Sequence, residues 1–319
     1  MPLIKNGLVT RLAAYKAMKI KPSFRFQVLC AAMIAGCAGP EARVIKIADK
    51  IHTIAAKREI NKKEMTAAAG HFKKEHFSEK QLKDYSDKTL SALSEVSGTL
   101  AFYSPEQELY LTRQEKTFNE KVRRNNQVAD DVESMAWSYI AARMFDKARK
   151  IRQQFPSASI PFIPPTITVD TGSSAARWPV YDIFEDGEKI ELKELHLENG
   201  PKIVVSMFTC CSAAERAMAK ILADPGLAPA FRKHGVLLTD RFDVKGILMW
   251  REHFNFPNVY IAYKASRLQD FDFNISPYFY FLKDGKVLSR AEGWGKNSQQ
   301  EILKGLEAIT ISTSPNMRQ

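Results

Sequence analysis

Lys202–Leu222 reads KIVVSMFTCCSAAERAMAKIL, and the way it folds decides how the rest of the chain is read. Its apolar run, Ile203 to Phe208, has the length of a buried strand. After the adjacent Cys210 and Cys211 come helix formers, Ala213 through Ala219. That order predicts a strand delivering two thiols to the N-terminus of a helix. At such a position the unpaired N–H groups and the positive end of the helix dipole favour a thiolate, the form that attacks disulfides. The stretch fits equally two free cysteines packed as small hydrophobes.

Working outward, Val180–Phe184 and Lys189–Leu192 flank Asp186-Gly187, a hairpin signal. A helical piece follows at Leu227–His234, then strand Val236–Thr239, helix Val244–Phe254 and strand Val259–Tyr263. Ile275-Ser276-Pro277 leads into strand Tyr278–Leu282, turn Asp284-Gly285, strand Lys286–Ala291 and helix Ser298–Ile309. Along Tyr278–Phe281 the side chains alternate across the strand, so about half are expected in a core.

The run ISPYFYFLKDGKVLSRAEGWG resembles the C-terminal half of thioredoxin-like domains, in which a cis-proline heads a strand near the sheet edge. Pro277, the Lys283-Asp284-Gly285 turn and Gly293, eight residues beyond Gly285, match that pattern, and the strand–cysteine–helix unit lies upstream in the right order. The resemblance covers residues 178–311. It implies a mixed sheet flanked by helices, catalytic cysteines at the helix start, and a backbone at Ser276 and Pro277 that pairs with an extended substrate peptide by strand addition. The family's Cys-x-x-Cys is incomplete here. Counting from Cys211 or from Cys210, alanine occupies the second cysteine position. Cys211 is the favoured nucleophile, because that register turns Ala217 and Ile221 inward; counting from Cys210 would turn Arg216 inward. A dithiol cycle needs a second sulfur. Neighbouring Cα atoms are about 3.8 Å apart, shorter than the roughly 4.4–6.8 Å of ordinary disulfides, so a Cys210–Cys211 bridge would be strained and easily reduced.

Upstream, residues 37–156 read as helical. A charged helical pattern runs from Ala42 to Phe77, another covers Glu79–Ser97, Ser104-Pro105-Glu106 marks a helix start, and further pattern extends through Asn125 and over Asp130–Gln154. Ser138–Pro156 looks like the end of a tetratricopeptide-type hairpin, but no fixed-period array accompanies it. His71 and His76 have poor metal-ligand spacing and read as solvated surface. Residues 157–177, rich in proline, serine and threonine, read as a linker. The fold class expected is therefore α+β: an all-α region, then an α/β thioredoxin-like domain, with residues 312–319 as a disordered tail.

The 319 residues carry a formal charge of +11, of which Lys5, Arg11, Lys16, Lys19, Lys21 and Arg25 supply six without any acid in residues 1–36. The remaining surplus is small and forms no basic stripe interleaved with aromatics, so nucleic acid is not an expected partner. After Arg25 comes an apolar run of 11 residues, Phe26–Gly36, too short to span a bilayer but suited to a signal-peptide core. Ile34-Ala35-Gly36-Cys37 resembles the bacterial lipobox, which implies cleavage after residue 36 and lipid on Cys37. Ala38, in place of aspartate, leans towards the outer membrane on its periplasmic side. A buried core helix and a cleaved but unlipidated signal remain alternatives, and residues 1–17 are either a long n-region or an upstream start. With Cys30 removed and Cys37 lipidated, only Cys210 and Cys211 stay free in an oxidising compartment.

Three functions follow. The first is thiol–disulfide exchange with protein substrates or redox partners, without cofactor. The second is a non-catalytic module docking extended segments beside Pro277. The third is copper handling by the paired thiols with His234 or His253, which soft ligands favour and spacing does not support, so no metal site is assigned.

Overall fold

The computed structural model describes residues 39–57, 62–104, 106–168 and 177–311. They are mixed α/β, with eleven α-helices and one eight-stranded mixed sheet among the described residues. Two compact units divide between Ile163 and Pro164. No helix among the described residues is long and apolar enough to cross a membrane. Cys37 and the rest of the signal segment lie outside the described residues, as do residues 312–319.

The helical unit holds α1 (Pro40–Ala55), α2 (Lys62–Ala69), α3 (Glu79–Asp84), α4 (Asp87–Tyr103), α5 (Gln107–Arg123), α6 (Ala129–Ala141) and α7 (Phe145–Gln154), with a 3₁₀ turn at Lys74–Phe77. The pattern read as continuous from Ala42 to Phe77 is thus broken into shorter pieces. Ser86 ends the run read as one helix over Glu79–Ser97, because its hydroxyl caps α4 through the Thr89 amide (3.4 Å). The Glu41 carboxylate, from α1, accepts from the Ser86 amide at 3.1 Å and from the Ser86 and Thr89 hydroxyls. A negative group therefore sits at the positive end of α4, 45 residues away in sequence. Between α5 and α6, Lys121 and Asp131 form a 2.6 Å ion pair with 3% and 9% of their side chains exposed, and Lys121 also donates to the Ser91 hydroxyl at 2.8 Å. His76 is half-buried against the Tyr85 hydroxyl (2.9 Å), not fully solvated as its lysine-rich context implied.

The second unit is built on β1 (Thr166–Thr168), β2 (Pro179–Ile183), β3 (Ile190–Glu194), β4 (Pro201–Ser206), β5 (Gly235–Thr239), β6 (Val259–Ala262), β7 (Tyr278–Lys283) and β8 (Lys286–Glu292), in the order β1-β3-β2-β6-β5-β4-β7-β8. Strands β4, β5 and β6 are parallel; β7 runs antiparallel to both β4 and β8. Helices α8 (Ser212–Ala223), α9 (Ala228–His234), α10 (Val244–Phe254) and α11 (Ser298–Ala308) complete it.

The segment read as a linker is more ordered than its prolines implied. Ile160 and Ile163 are buried, and the Ser159 amide donates to Glu133 at 2.8 Å. Thr166–Thr168 pairs in parallel with β3, since β-branched residues favour strand once the prolines are behind them.

Strand β7 also departs from the half-buried expectation. Phe279, Tyr280, Phe281 and Leu282 are all at most 1% exposed, because the sheet is covered on both faces. Phe279 meets Phe231 of α9 edge-on at 6.3 Å. A Cβ on Gly305 of α11 would come within 2.3 Å of the Phe281 ring. On the other face, Tyr280 and Leu282 join a cluster with Trp178, Leu268, Phe271 and Phe273, a cover made of loop rather than helix.

Glu120, 7% exposed, is held down to about 2 from 4.5 by hydrogen bonds from Arg123, with Arg124 adding to them against the cost of burial. A depressed carboxyl stabilises the fold fully above its unfolded value and loses that contribution as pH falls through the folded value. In acid titrations followed by helical circular dichroism, Glu120→Gln is expected to flatten the loss of stability between pH 4.5 and about 2.

Candidate functional site

Register builds the site. With β4 and β7 antiparallel and Ser206 opposite Tyr278, the chain leaving β4 and the chain entering β7 occupy the same end of the sheet. The Phe208 amide donates to the Ser276 hydroxyl at 2.9 Å. The Ser276–Pro277 peptide is cis, and the Pro277 carbonyl accepts from the Gly293 amide at 2.9 Å.

Cys211 is the N-cap of α8; its amide donates to the Phe208 carbonyl at 2.9 Å and its carbonyl accepts from Glu215 at 3.0 Å. Its thiol, half-buried, donates to the Ser276 carbonyl at 3.4 Å. Cys210 is exposed, and both thiols are free. Arg241 stacks on the Phe208 ring (4.0 Å to its centre) and donates to the Cys210 sulfur at 3.8 Å. The register counted from Cys211 describes α8 as found: Ala214, Ala217 and Ile221 are all 0% exposed, while Arg216 is exposed. Ala214, three residues after Cys211, is therefore sealed in the core.

The loop is clamped from α10. The Thr209 hydroxyl donates to the Asp243 carboxylate at 2.5 Å, and the other Asp243 oxygen accepts from the Gly246 amide at 3.0 Å, capping α10. Trp250 Nε1 donates to the Thr209 carbonyl at 2.9 Å. Gly246 is required here, since a Cβ would come within 2.1 Å of Asp243 and 2.8 Å of Thr209. Asp272 adds a second support: its carbonyl accepts from the Ser206 hydroxyl at 2.7 Å, and its amide donates to the Tyr280 hydroxyl at 2.6 Å. Burial pushes that phenol up to about 12, so it stays neutral and available for hydrogen bonding.

Cys210, Cys211, Ser276 and Pro277 thus lie at one end of the sheet. Of the histidines of the copper reading, His234 lies elsewhere. His234 bonds the Pro201 carbonyl (3.0 Å) at the far end of β4, and burial lowers its pKa below the ordinary range. His253 lines a cavity of about 330 Å³ with Thr209, Glu215, Trp250 and Phe254. Among the described residues no group of three His, Cys, Asp or Glu side chains is placed to hold a metal ion. Arg241, Thr209 and Trp250 were not foreseen. Only Asp243, just ahead of the expected helix Val244–Phe254, carried a readable signal, that of an N-cap.

No protein-family model matches this chain, and no curated protein matches it.

Removing the indole N–H leaves the buried Thr209 carbonyl without its partner, at a cost of about 1–3 kcal/mol. Trp250→Phe is expected to lower the urea midpoint accordingly and to loosen the cysteine loop, read as faster hydrogen exchange at residues 208–211.

Proposed function

We propose that residues 178–311 form a thioredoxin-like domain that carries out thiol–disulfide exchange on protein substrates through Cys210 and Cys211. The observation that carries this reading is the 3.4 Å contact between the Cys211 sulfur and the Ser276 carbonyl, immediately before Pro277. It leaves a free thiol at a helix N-terminus beside backbone that an extended chain can pair with. The parallel β4–α8–β5 unit followed by the antiparallel β7–β8 pair and α11 supports the fold assignment. A substrate disulfide attacked by one thiolate forms a mixed disulfide and releases one substrate thiolate. With Ala214 buried, the second sulfur must come from the neighbouring cysteine or from an external thiol.

The same buried alanine favours a second reading, a docking module that binds extended segments beside Pro277 without turnover. Reduction of an insulin-type protein disulfide by the full chain, with Cys30 and Cys37 replaced by serine, separates the two. Catalytic turnover lost in the Cys210→Ser, Cys211→Ser double variant is the expected result; turnover equal in the two proteins refutes exchange.

We place the mature protein on the periplasmic side of a bacterial envelope, most simply the outer membrane, anchored by lipid on Cys37. The residues that support this are Phe26–Gly36 and the Ile34-Ala35-Gly36-Cys37 tetrapeptide. Mass spectrometry of the N-terminal peptide from envelope fractions is expected to find a diacylglyceryl-modified Cys37 as the first residue. An intact residue 36–37 bond would refute it.

A further inference from the structure

The two thiols are not equivalent, and their partners divide the work between them. A guanidinium can only donate, so in the 3.8 Å contact with Arg241 the Cys210 sulfur is the acceptor. A carbonyl can only accept, so in the 3.4 Å contact with Ser276 the Cys211 sulfur holds the proton. Cys210 is also the exposed one of the pair, and Cys211 is half-buried. Arg241 is itself held in place, its guanidinium stacked on Phe208 and its backbone amide on the Thr239 hydroxyl (3.2 Å). Arg241 thus fixes a donor beside the Cys210 sulfur, and a folded substrate's disulfide reaches the exposed sulfur first.

Building on the exchange reading above, we propose that Cys210 is the attacking thiol, Arg241 its positioning residue, and Cys211 the thiol that resolves. This reverses the preference that helix register alone gives to Cys211. In the first step the Cys210 thiolate bonds to one substrate sulfur, the substrate S–S bond breaks, and the departing thiolate takes a proton from water. In the second, Cys211 attacks the Cys210 sulfur of that mixed disulfide. The proton Cys211 gives up ends on the second departing substrate thiolate, and the two cysteines are left joined. The substrate disulfide is reduced by two electrons and the cysteine pair is oxidised by two. Because the joined pair lies at adjacent positions it is readily reopened, and a dithiol reductant returns it to the starting state.

The test uses the full chain with Cys30→Ser and Cys37→Ser, so that Cys210 and Cys211 are its only thiols, and dithiodipyridine as an uncharged disulfide probe. Release of thiopyridone is followed by stopped flow and the product by intact mass. The expected result has Cys211→Ser reacting as fast as the parent but retaining one pyridyl adduct. The parent releases two thiopyridones and ends without adduct, and Cys210→Ser is slower by about tenfold, in keeping with loss of the exposed, arginine-contacted thiol. Arg241→Gln slows the parent about fivefold, as expected for losing one exposed cation at this distance, and Arg241→Lys restores most of the rate. Added salt slows the parent but not Arg241→Gln.

Fast reaction in Cys210→Ser with slow reaction in Cys211→Ser would overturn the assignment and leave exchange intact. An Arg241→Gln rate equal to the parent's would overturn the role of the arginine. Both single variants reacting no faster than a free cysteine would bring down the exchange reading itself.

Discussion

The pairing of β4 with β7 is the constraint on which this domain rests. Six consecutive residue pairs, from Pro201 opposite Lys283 to Ser206 opposite Tyr278, fix the register. A slip by one position would turn Phe279 and Phe281 away from α9 and α11 and bring polar backbone neighbours out of step. Nothing in the cysteine loop itself could bring residue 211 beside residue 276. Ladder hydrogen bonds and aromatic packing do that, and the Phe208–Ser276 and Cys211–Ser276 contacts then form at the open end. The chemistry proposed for the site is thus a product of sheet geometry before it is a product of the cysteines.

Much of this was readable in the residues, and the reasons are local. Ile203–Phe208 followed by alanine-rich sequence has one sensible reading, and Asp186-Gly187 and Asp284-Gly285 supply the turns that their hairpins need; Gly187 and Gly285 have φ of 71° and 73°. Pro277 at the head of an aromatic strand was equally legible. The helical region was read less well, because its breaks depend on tertiary partners. Arg143, with φ of 62°, separates α6 from α7 without any glycine or proline to announce it. Ser86 ends one helical run because Glu41, far upstream, is there to receive it. Strand β1 was hidden among prolines, since a short strand at a sheet edge exists only when β3 offers it a partner.

The support of the cysteine loop was illegible for the same reason. Thr209, Asp243 and Trp250 are spread over some forty residues, and no spacing rule joins a threonine to a tryptophan through a backbone carbonyl. Arg241 was likewise one cation among 47 lysines and arginines. What singles it out is its stacking on Phe208, which becomes visible only when the strand ends lie side by side. Buried alanine at position 214 carries a different lesson. The departure from Cys-x-x-Cys was plain in the sequence; the structure adds that the alanine standing there is fully buried.

The loop that precedes Pro277 has two duties at once. Leu268, Phe271 and Phe273 roof the outer face of the sheet, and three residues later the same strand of backbone presents Ser276 to the sulfur. No joint separates the two tasks. Mutational drift in that greasy roof, which touches no cysteine, is therefore transmitted to the one carbonyl on which the Cys211 sulfur leans.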